Sequence, residues 1–266
     1  MAKTAQKDVT VIWHLGFQKT GTTIFQSLMR RNQDALENHC AVFPKRHWTQ
    51  AVQDAGLAFW ADPSDATEDA LSQAARDICA AIQDKGHTHG IVSDENIIGL
   101  DLYDQKGGMI DMAASVIPVL ERAILPAKSV FVFYTRDWDD WFKSAHNQVV
   151  KQMRSRLDHD DFCANAPFER DWDKHYKRLQ SVVSGEVVFR AMEEDARESW
   201  PMGGYMLTRA GVPSSLFANL TKPIGKNQSL PPSALNFMLE INRSHINEHG
   251  LAVVRKKVLK HIRAFR

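Results

Sequence analysis

The chain has 266 residues, of which 44% are hydrophobic and 24% charged, and its formal net charge is +1. This length suits one large α/β domain, and the composition is ordinary for a globular protein. A charge so close to zero argues against a dedicated nucleic-acid-binding protein, so any basic function has to come from a local pocket. We therefore expect a single domain over residues 1–266 with no nucleic acid partner.

Signals for secretion and for membrane insertion are weak throughout the chain. No segment holds the roughly 18 uninterrupted apolar residues that a membrane span requires, and the N-terminal MAKTAQKDVTV is polar. The cysteines Cys40, Cys79 and Cys163 are far apart and form no CxxC or metal-ligand pattern. These features predict buried free thiols, a cytoplasmic location and no membrane span. They do not predict an oligomeric state.

A glycine-containing loop joins the first predicted strand to the first predicted helix. The apolar run at residues 9–13 predicts a strand buried on both faces, and apolar residues at helical spacing over 24–29 predict the helix. Between them, Gly16 and Gly21 permit unusual backbone angles and Lys19 lies in mid-loop. Free N–H groups of the first helical turn, the helix dipole and an ammonium group converge here, which predicts a site for phosphate or sulfate.

The order of residues in this loop distinguishes it from two other anion-binding loops. Nucleotide triphosphatases require GxxxxGK followed by Ser or Thr, whereas in GFQKTGTT, residues 16–23, Lys19 precedes the second glycine. No GxGxxG pattern follows, so a dinucleotide-binding turn is not supported. A simpler alternative is a strand-to-helix turn with a solvated lysine.

The loop resembles the 5′-phosphosulfate-binding loop of the sulfotransferases that use 3′-phosphoadenosine 5′-phosphosulfate, whose pattern is PKxGTT or close to it. Gln18 stands where that family usually has proline. The resemblance implies that the loop binds the 5′ end of this donor. The residues implied are Gln18, Lys19, Thr20, Gly21, Thr22 and Thr23.

Acidic residues follow the second buried strand that the pattern predicts, at residues 89–93. In open α/β sheets ligands gather beyond the carboxyl ends of strands, so Glu95 is well located for chemistry. The segment resembles an S-x-E-N element of bacterial sulfotransferase-like sequences. The alternative is that Asp94 or Glu95 caps the helical segment that follows.

A second motif follows the clearest strand, residues 128–135. Arg136 ends this strand and Ser144 comes eight positions later, an arrangement similar to the second sulfotransferase signature, which implies that both bind the donor's 3′-phosphate. On a helix, Ser144 would lie about 9 Å from the helix start, and arginine binds phosphate oxygens in pairs. An arginine after a strand is otherwise most often a surface ion-pair partner.

The other segments predict an alternation of helices with strands. An edge strand or connector is expected at residues 41–44 and a last strand at 186–190. Residues 46–63 have no clear pattern, and residues 158–167 predict an acidic, mobile loop. Helices are predicted at residues 67–84, 109–124, 138–153, 168–179, from 232 and at 251–265.

Two further basic segments have a functional interpretation beside a simpler one. The loop at residues 224–230 resembles the family's late loop, which implies that Lys226, Asn227 and Ser229 contact the nucleotide. The basic run at residues 151–156 predicts either a solvated helix face or a contact for an acidic acceptor.

The resemblance as a whole implies a P-loop-like α/β fold in three layers, with a central parallel sheet of about five strands flanked by helices. It implies in-line transfer of a sulfuryl group to a hydroxyl or amine of a small-molecule or glycan acceptor, leaving 3′-phosphoadenosine 5′-phosphate. Lys19 would stabilise the leaving phosphate oxygen without a metal. Glu95, with a raised pKa, is the first candidate base, His14 the second and His146 the third.

Two alternatives from other functional classes remain. A P-loop kinase-like phosphotransferase would share the sheet and could use Asp137 as a magnesium ligand, but the lysine is in the wrong position for it. A non-catalytic module would bind adenosine 3′,5′-bisphosphate at the same residues without transferring a group.

Overall fold

The computed structural model describes residues 8–99, 108–166, 169–223 and 229–265. The strands are β1 (Thr10–His14), β2 (Ala41–Pro44), β3 (His89–Ser93), β4 (Lys128–Thr135) and β5 (Glu186–Ala191). The α-helices are α1 (Thr22–Arg31), α2 (Gln33–Leu36), α3 (Thr49–Ala61), α4 (Asp65–Asp84), α5 (Gly108–Ala123), α6 (Trp138–Gln152), α7 (His159–Ala164), α8 (Trp172–Gln180), α9 (Met192–Arg197), α10 (Gly204–Arg209), α11 (Pro232–Arg243) and α12 (Glu248–Lys260).

The five strands form one sheet in the order β2-β3-β1-β4-β5, and every pair is parallel. His14 at the end of β1 pairs with Ser93 of β3 on one side and with Val132 of β4 on the other. Because the strands are parallel, their carboxyl ends share one edge of the sheet, which we call the carboxyl edge. The predicted α/β class, with a central parallel sheet of five strands between helices, is confirmed.

The chain reverses its direction across the sheet between β1 and β4. The connection from β1 passes through α1 toward β2, whereas the connection from β4 leads the opposite way to β5. Parallel crossovers are right-handed, so α1 covers one face of the sheet while α4, α5 and α8 cover the other. A crevice forms where the connections after two neighbouring strands lead in opposite directions, and ligands of open α/β sheets bind there.

Alternate side chains of each strand supply two cores. On the α1 face, Ile12, Ile91 and Val132 are buried in a cluster with Phe25 of α1 and Leu207 of α10. On the opposite face the fully buried strand residues include Trp13, Val92, Phe131 and Phe133. Burial on both faces explains why these strands are continuous apolar runs in the sequence.

The chain divides into two compact units. Unit 1 comprises Met1–Arg136 and Pro167–Ile224 and contains the sheet, while unit 2 comprises Asp137–Ala166 and Gly225–Arg266. Within unit 2, the Asn147 side chain of α6 donates to the Leu230 carbonyl and accepts from its N–H, both at 3.0 Å. Compactness does not establish independent folding, so the single domain over residues 1–266 stays a prediction.

Two segments between the main elements are helical where the sequence pattern did not predict a helix. Residues 158–167 were expected to be a mobile loop, but they contain α7, because Asp158 caps it by accepting a hydrogen bond from the Asp161 N–H at 3.0 Å. The expectation of a loop there is wrong. The 46–63 segment contains α3, whose buried residues are few and include the polar Thr49 and Gln53.

The structure tests two expectations from the sequence, that the cysteines are buried free thiols and that the chain has no membrane span. Cys40 is buried as expected, but Cys79 and Cys163 are only half-buried, and all three are free thiols. Burial raises the pKa of Cys40 to about 12. Of the helices in the described ranges, none combines the length and apolarity that crossing a membrane demands.

We expect Gly203→Ala to destabilise the protein more than Gly211→Ala. Both glycines have left-handed backbone, with φ of 87° and 88°, so alanine costs about 1 to 2 kcal/mol at either position. A Cβ at Gly203 would also lie 2.0 Å from the Phe25 ring, whereas at Gly211 it would meet nothing within 4 Å. Urea unfolding should give an additional loss of about 1 to 3 kcal/mol for the Gly203 variant; equal losses would contradict the packing described above.

Candidate functional site

The turn between β1 and α1 has an unusual backbone. Gly16, Lys19 and Gly21 all have positive φ, at 37°, 71° and 90°. A left-handed lysine is strained, and residues in such conformations are concentrated at ligand clamps and active sites. The hydroxyl of the buried Thr20 donates to the Phe17 carbonyl at 2.5 Å, which closes the turn. The lysine therefore lies in a tight turn with little backbone freedom.

The first turn of α1 faces this loop without a cap from a side chain. Gly21 is the N-cap residue, and no side chain in the described ranges bonds to it as a cap. A Cβ on Gly16 would lie 2.6 Å from Thr22 Cγ2 and 2.9 Å from His14 Nε2, so the loop folds closely over the helix start. Backbone N–H groups and the positive end of the helix dipole are thus directed at the space beside Lys19, an arrangement that favours an anion.

An aromatic contact links this turn to the end of β4. The Phe17 ring stacks on the Trp172 ring with centroids 4.9 Å apart, and on Phe133 of β4 at 5.3 Å. The Trp172 indole N–H in turn donates to the Arg136 carbonyl at 2.8 Å. Within unit 1, the Lys19 turn and Arg136 therefore lie together on the carboxyl edge, at the crevice between β1 and β4.

The other residues implied by the resemblance lie in unit 2 or outside the described ranges. Ser144 is half-buried on α6. Three positions later on that helix, Asn147 binds the backbone of Leu230, so the exposed Ser229 lies alongside α6. Lys226 and Asn227 fall outside the described residues, and their assignment stays a prediction.

Glu95 lies at the carboxyl end of β3 in a network of polar side chains. Its Oε1 is 2.8 Å from Lys45 Nζ, and its Oε2 accepts a hydrogen bond from Gln26 Nε2 at 2.8 Å. Burial by itself raises the pKa of Glu95, but Lys45 and Gln26 outweigh it and hold the pKa below its usual value. The raised pKa expected from the sequence is therefore wrong, because the nearby ammonium group stabilises the ionised carboxylate.

The sequence predicted that either Asp94 or Glu95 caps the short helical segment Glu95–Ile98, and in the structure Asp94 is the cap. Its Oδ1 accepts from the Asn96 N–H at 3.0 Å, and its Oδ2 accepts from the Thr49 hydroxyl at 2.7 Å. Burial raises the pKa of Asp94, partly offset by Thr49 and by Lys45, whose Nζ is 3.5 Å from Oδ1. Asp94 thus holds the local backbone, whereas Glu95 directs its carboxylate to Lys45 and Gln26.

His14 is a packed residue of the core. It is completely buried, its Nδ1 lies 2.7 Å from Ser93 Oγ, and its ring contacts Phe25 and Tyr134 edge-on at 5.4 and 5.5 Å. Burial lowers the pKa of His14 to about 4, against an opposing effect of Glu95. The ring is therefore neutral at pH 7, with Nε2 directed at the Gly16 backbone of the turn.

Within unit 2, His146 and the basic run at residues 151–156 are held largely by contacts with the protein itself. His146 is buried, with Nε2 2.9 Å from the Leu157 carbonyl. Lys151 is buried as well, and burial lowers its pKa. Arg154 donates to the Ile246 carbonyl at 2.8 Å and Arg156 to that of Asn242 at 3.1 Å. The solvated face expected for this run is therefore wrong for the buried Lys151 and the half-buried Arg154, whereas Arg156 is exposed.

Sequence reasoning missed three residues that build the site. Lys45 follows the end of β2, so the rule that singled out Glu95 could have found it. Gln26 was missed because it is a polar residue within the apolar pattern that predicted α1. In the structure it is buried and donates hydrogen bonds to the Ser93 carbonyl and to Glu95. Trp172 is distant in sequence, and no local signal relates it to Phe17 or Arg136.

The buried environment of His14 predicts a pH effect on stability. The pKa of His14 is about 4 in the folded protein and about 6.5 in the unfolded chain. The neutral, buried ring therefore contributes fully to the free energy of unfolding above pH 6.5. This contribution is lost as the pH falls toward 4, because the unfolded chain then binds a proton that the folded protein does not. We expect the ring resonances of His14, assigned by their loss in His14→Gln, to titrate near pH 4 in an NMR experiment. Between pH 6.5 and 4 the variant should lose less stability than the parent chain. A midpoint above 6 would contradict this environment.

Comparisons with known proteins give no family for the chain. No family model matches it, and no curated protein matches its sequence. What can be inferred about its function therefore rests on the motifs of the sequence and on the geometry of the described residues.

Proposed function

We propose that this chain is a sulfotransferase that moves a sulfuryl group from 3′-phosphoadenosine 5′-phosphosulfate to an acceptor hydroxyl or amine. The observation that carries the proposal is the proximity of two anion motifs: the ring of Phe17, two positions before Lys19, stacks on Trp172, which donates a hydrogen bond to the Arg136 carbonyl. Each motif follows a strand, and the two strands are neighbours at the crevice of a parallel sheet. A donor with a phosphate at each end of its ribose needs two such positions.

The Lys19 turn would bind the 5′ end of the donor. Backbone N–H groups at the start of α1 and the hydroxyls of Thr22 and Thr23 suit the 5′-phosphate. Arg136 would bind the 3′-phosphate with its planar guanidinium, joined by Ser144 as the resemblance implies. For Lys226, Asn227 and Ser229 a contact with the nucleotide is implied by the resemblance alone.

The chemistry would be an in-line displacement at sulfur. An acceptor oxygen or nitrogen forms a bond to sulfur while the bond from sulfur to the bridging phosphate oxygen breaks, and that oxygen keeps the electron pair. Lys19 and the N–H groups of the turn would stabilise the negative charge that builds there. The acceptor proton would pass to Glu95, which is ionised at pH 7 and can therefore accept it. The transfer would take place in the transition state, where the acceptor becomes more acidic as its bond to sulfur forms.

Isotope transfer from labelled donor is the direct test of this function. Transfer of labelled sulfate to an acceptor supports it, whereas binding of adenosine 3′,5′-bisphosphate without transfer would indicate a non-catalytic module. A rise in melting temperature with ATP and magnesium, but not with the bisphosphate, would favour a kinase. Against that alternative, Asp137 caps α6 by accepting from the Asp140 N–H at 3.1 Å.

Lys19→Ala and Arg136→Ala should have contrasting effects. We expect Lys19→Ala to lower kcat about 100-fold or more with a smaller change in donor affinity, because its contact strengthens as charge develops. Arg136→Ala should weaken bisphosphate binding about tenfold or more, because a charge-assisted pair is lost. Titration calorimetry with the bisphosphate and steady-state kinetics measure the two effects.

Arg122→Ala is the matched control for Arg136→Ala. Arg122 is an exposed arginine of unit 1 that pairs with Glu68, 2.7 Å away on α4. This variant should bind the bisphosphate like the parent chain. Unchanged bisphosphate affinity in Arg136→Ala, or an equal loss in the control, would remove Arg136 from the donor site.

Glu95→Gln should abolish turnover while donor binding is preserved. Glutamine keeps the size of the side chain and a hydrogen bond to Gln26 or Lys45, but it cannot accept the acceptor's proton. Glu37→Gln is the control, since Glu37 also forms an ion pair with a lysine, Lys85, but on a different part of unit 1. A fully active Glu95→Gln enzyme in the isotope assay would end the assignment of Glu95 as the base.

A further inference from the structure

The Glu95 carboxylate begins a short helical segment with a defined residue at each end. Residues 94–99, which we call the Glu95 segment, comprise the helical turn Glu95–Ile98 and one flanking residue on either side. Asp94 caps the turn at its start by accepting from the Asn96 N–H at 3.0 Å. Gly99 follows its end with φ 131°, and its N–H donates to the Asn96 carbonyl at 3.2 Å. The segment therefore has a regular internal structure.

Helix α3 packs closely against the Glu95 segment. Ile97 and Ile98 are both buried. A Cβ on Gly56 of α3 would lie 3.1 Å from the Ile97 carbonyl oxygen, so the two backbones are in close contact. The segment thus has little room to move toward α3. Its position relative to the Lys19 turn depends on contacts that come from α1 and from that turn.

Gln26 of α1 holds the first residue of the segment. Its Nε2 donates to Glu95 Oε2 at 2.8 Å and to the Ser93 carbonyl at 3.2 Å, so both amide hydrogens are bonded. The Gln26 side chain is only 2% exposed, and a buried amide is costly to leave without partners. The orientation of the Glu95 carboxylate relative to α1 is therefore set by Gln26.

Gln18 of the Lys19 turn holds the last residue of the segment. Its Nε2 donates to the Gly99 carbonyl at 3.3 Å. Gln18 lies within the part of the turn that Thr20 closes by donating to the Phe17 carbonyl, so its backbone has little freedom. A proline, which is usual at this position in the loop that the turn resembles, has no side-chain donor for such a contact. The turn is thus tied to the far end of the Glu95 segment.

The two contacts are well separated along the segment. A 3₁₀ turn rises about 2.0 Å per residue, so Glu95 and Gly99 are about 8 Å apart. With one contact the segment could pivot about it, whereas two contacts fix both its position and its orientation. Gln18 precedes the start of α1 and Gln26 lies within α1. Both contacts therefore come from the element whose N–H groups face the candidate anion site.

We propose that Gln18 and Gln26 are positioning residues that hold the Glu95 segment on the Lys19 turn and α1, so that the Glu95 carboxylate keeps a fixed place relative to an anion bound in the turn. The attachment rests on the contacts described above, whereas its use in catalysis rests on the proposed function. In that reaction the acceptor atom bonds to sulfur, its proton passes to Glu95, and the phosphate oxygen leaves with the electron pair of the broken S–O bond. Such a transfer tolerates little displacement of the base.

Hydrogen exchange measures the attachment without any catalysis. The probes are the N–H groups of Asn96 and Gly99, which are bonded within the segment. We expect both to exchange about fivefold faster or more in Gln18→Met, because methionine keeps the size of the side chain but has no donor. Gln18 is half-buried, so this variant should keep the melting temperature of the parent chain. Gln33→Met is the control, since Gln33 is an exposed residue of α2 that bonds to Glu37 at 3.1 Å.

Kinetics and calorimetry separate a positioning role from a contact with the donor. Gln18→Met should lower kcat about tenfold or more, because the base is displaced from its place in the transition state. Its affinity for adenosine 3′,5′-bisphosphate should change less than about threefold, because the Gln18 amide is directed at Gly99. Gln33→Met should match the parent chain in both measurements.

Gln26→Leu should move the pH profile as well as the rate. Gln26 helps to hold the pKa of Glu95 low, so its removal raises that pKa. Since the base must be ionised, the acid limb of kcat should move upward by about half a pH unit or more. The charged and titratable groups that interact with Glu95 are the same in this variant and in the parent chain: Lys45, Asp94, His14 and Arg30.

Failure of this inference is distinguishable from failure of the proposed function. Unchanged exchange in Gln18→Met, an equal change in Gln33→Met, or an unmoved acid limb in folded Gln26→Leu would overturn the inference. A loss of bisphosphate affinity as large as the loss of kcat in Gln18→Met would make Gln18 a donor contact and would also overturn it, with the proposed function standing. If the parent chain binds the bisphosphate but transfers no sulfate, the proposed function fails, and faster exchange in Gln18→Met alone then supports the attachment.

Discussion

The parallel pairing of the five strands is the constraint on which the candidate site depends. It brings the ends of β1, β3, β4 and β2 to one edge, so residues that are more than 100 positions apart in sequence follow neighbouring strands. The stacking of Phe17 on Trp172 then fixes the Lys19 turn beside Arg136. Without that edge, the basic residues of the chain would be isolated surface charges.

The sign of the charge changes along this edge of the sheet. At β1 and β4 the turn, the helix dipole and Arg136 give a positive field suited to an anion. At β3 the two acids meet Lys45, which keeps Glu95 ionised although it is largely buried. Beside β2, the exposed Arg30 and Arg46 add positive charge. Glu95, at the end of β3, therefore lies between these two positively charged regions.

Backbone strain occurs at two positions on this edge, and the fold supports both. Lys19 and Arg46 each have left-handed φ, which glycine would adopt at lower cost. Thr20 closes the first turn through the Phe17 carbonyl, and Thr49 closes the second through Asp94. Strain of this kind persists only where the surrounding structure enforces it.

The sequence by itself determined the fold class, the strands β1, β3, β4 and β5 and the location of the Lys19 turn, because apolar runs, glycines and helix starts are local signals. It also located Arg136 and Glu95 at strand ends. Only the tertiary structure decided that the pKa of Glu95 is lowered and that His14 is neutral in the core, since both depend on distant partners such as Lys45 and Phe25. A local pattern cannot report which charges or rings the folded chain brings into contact.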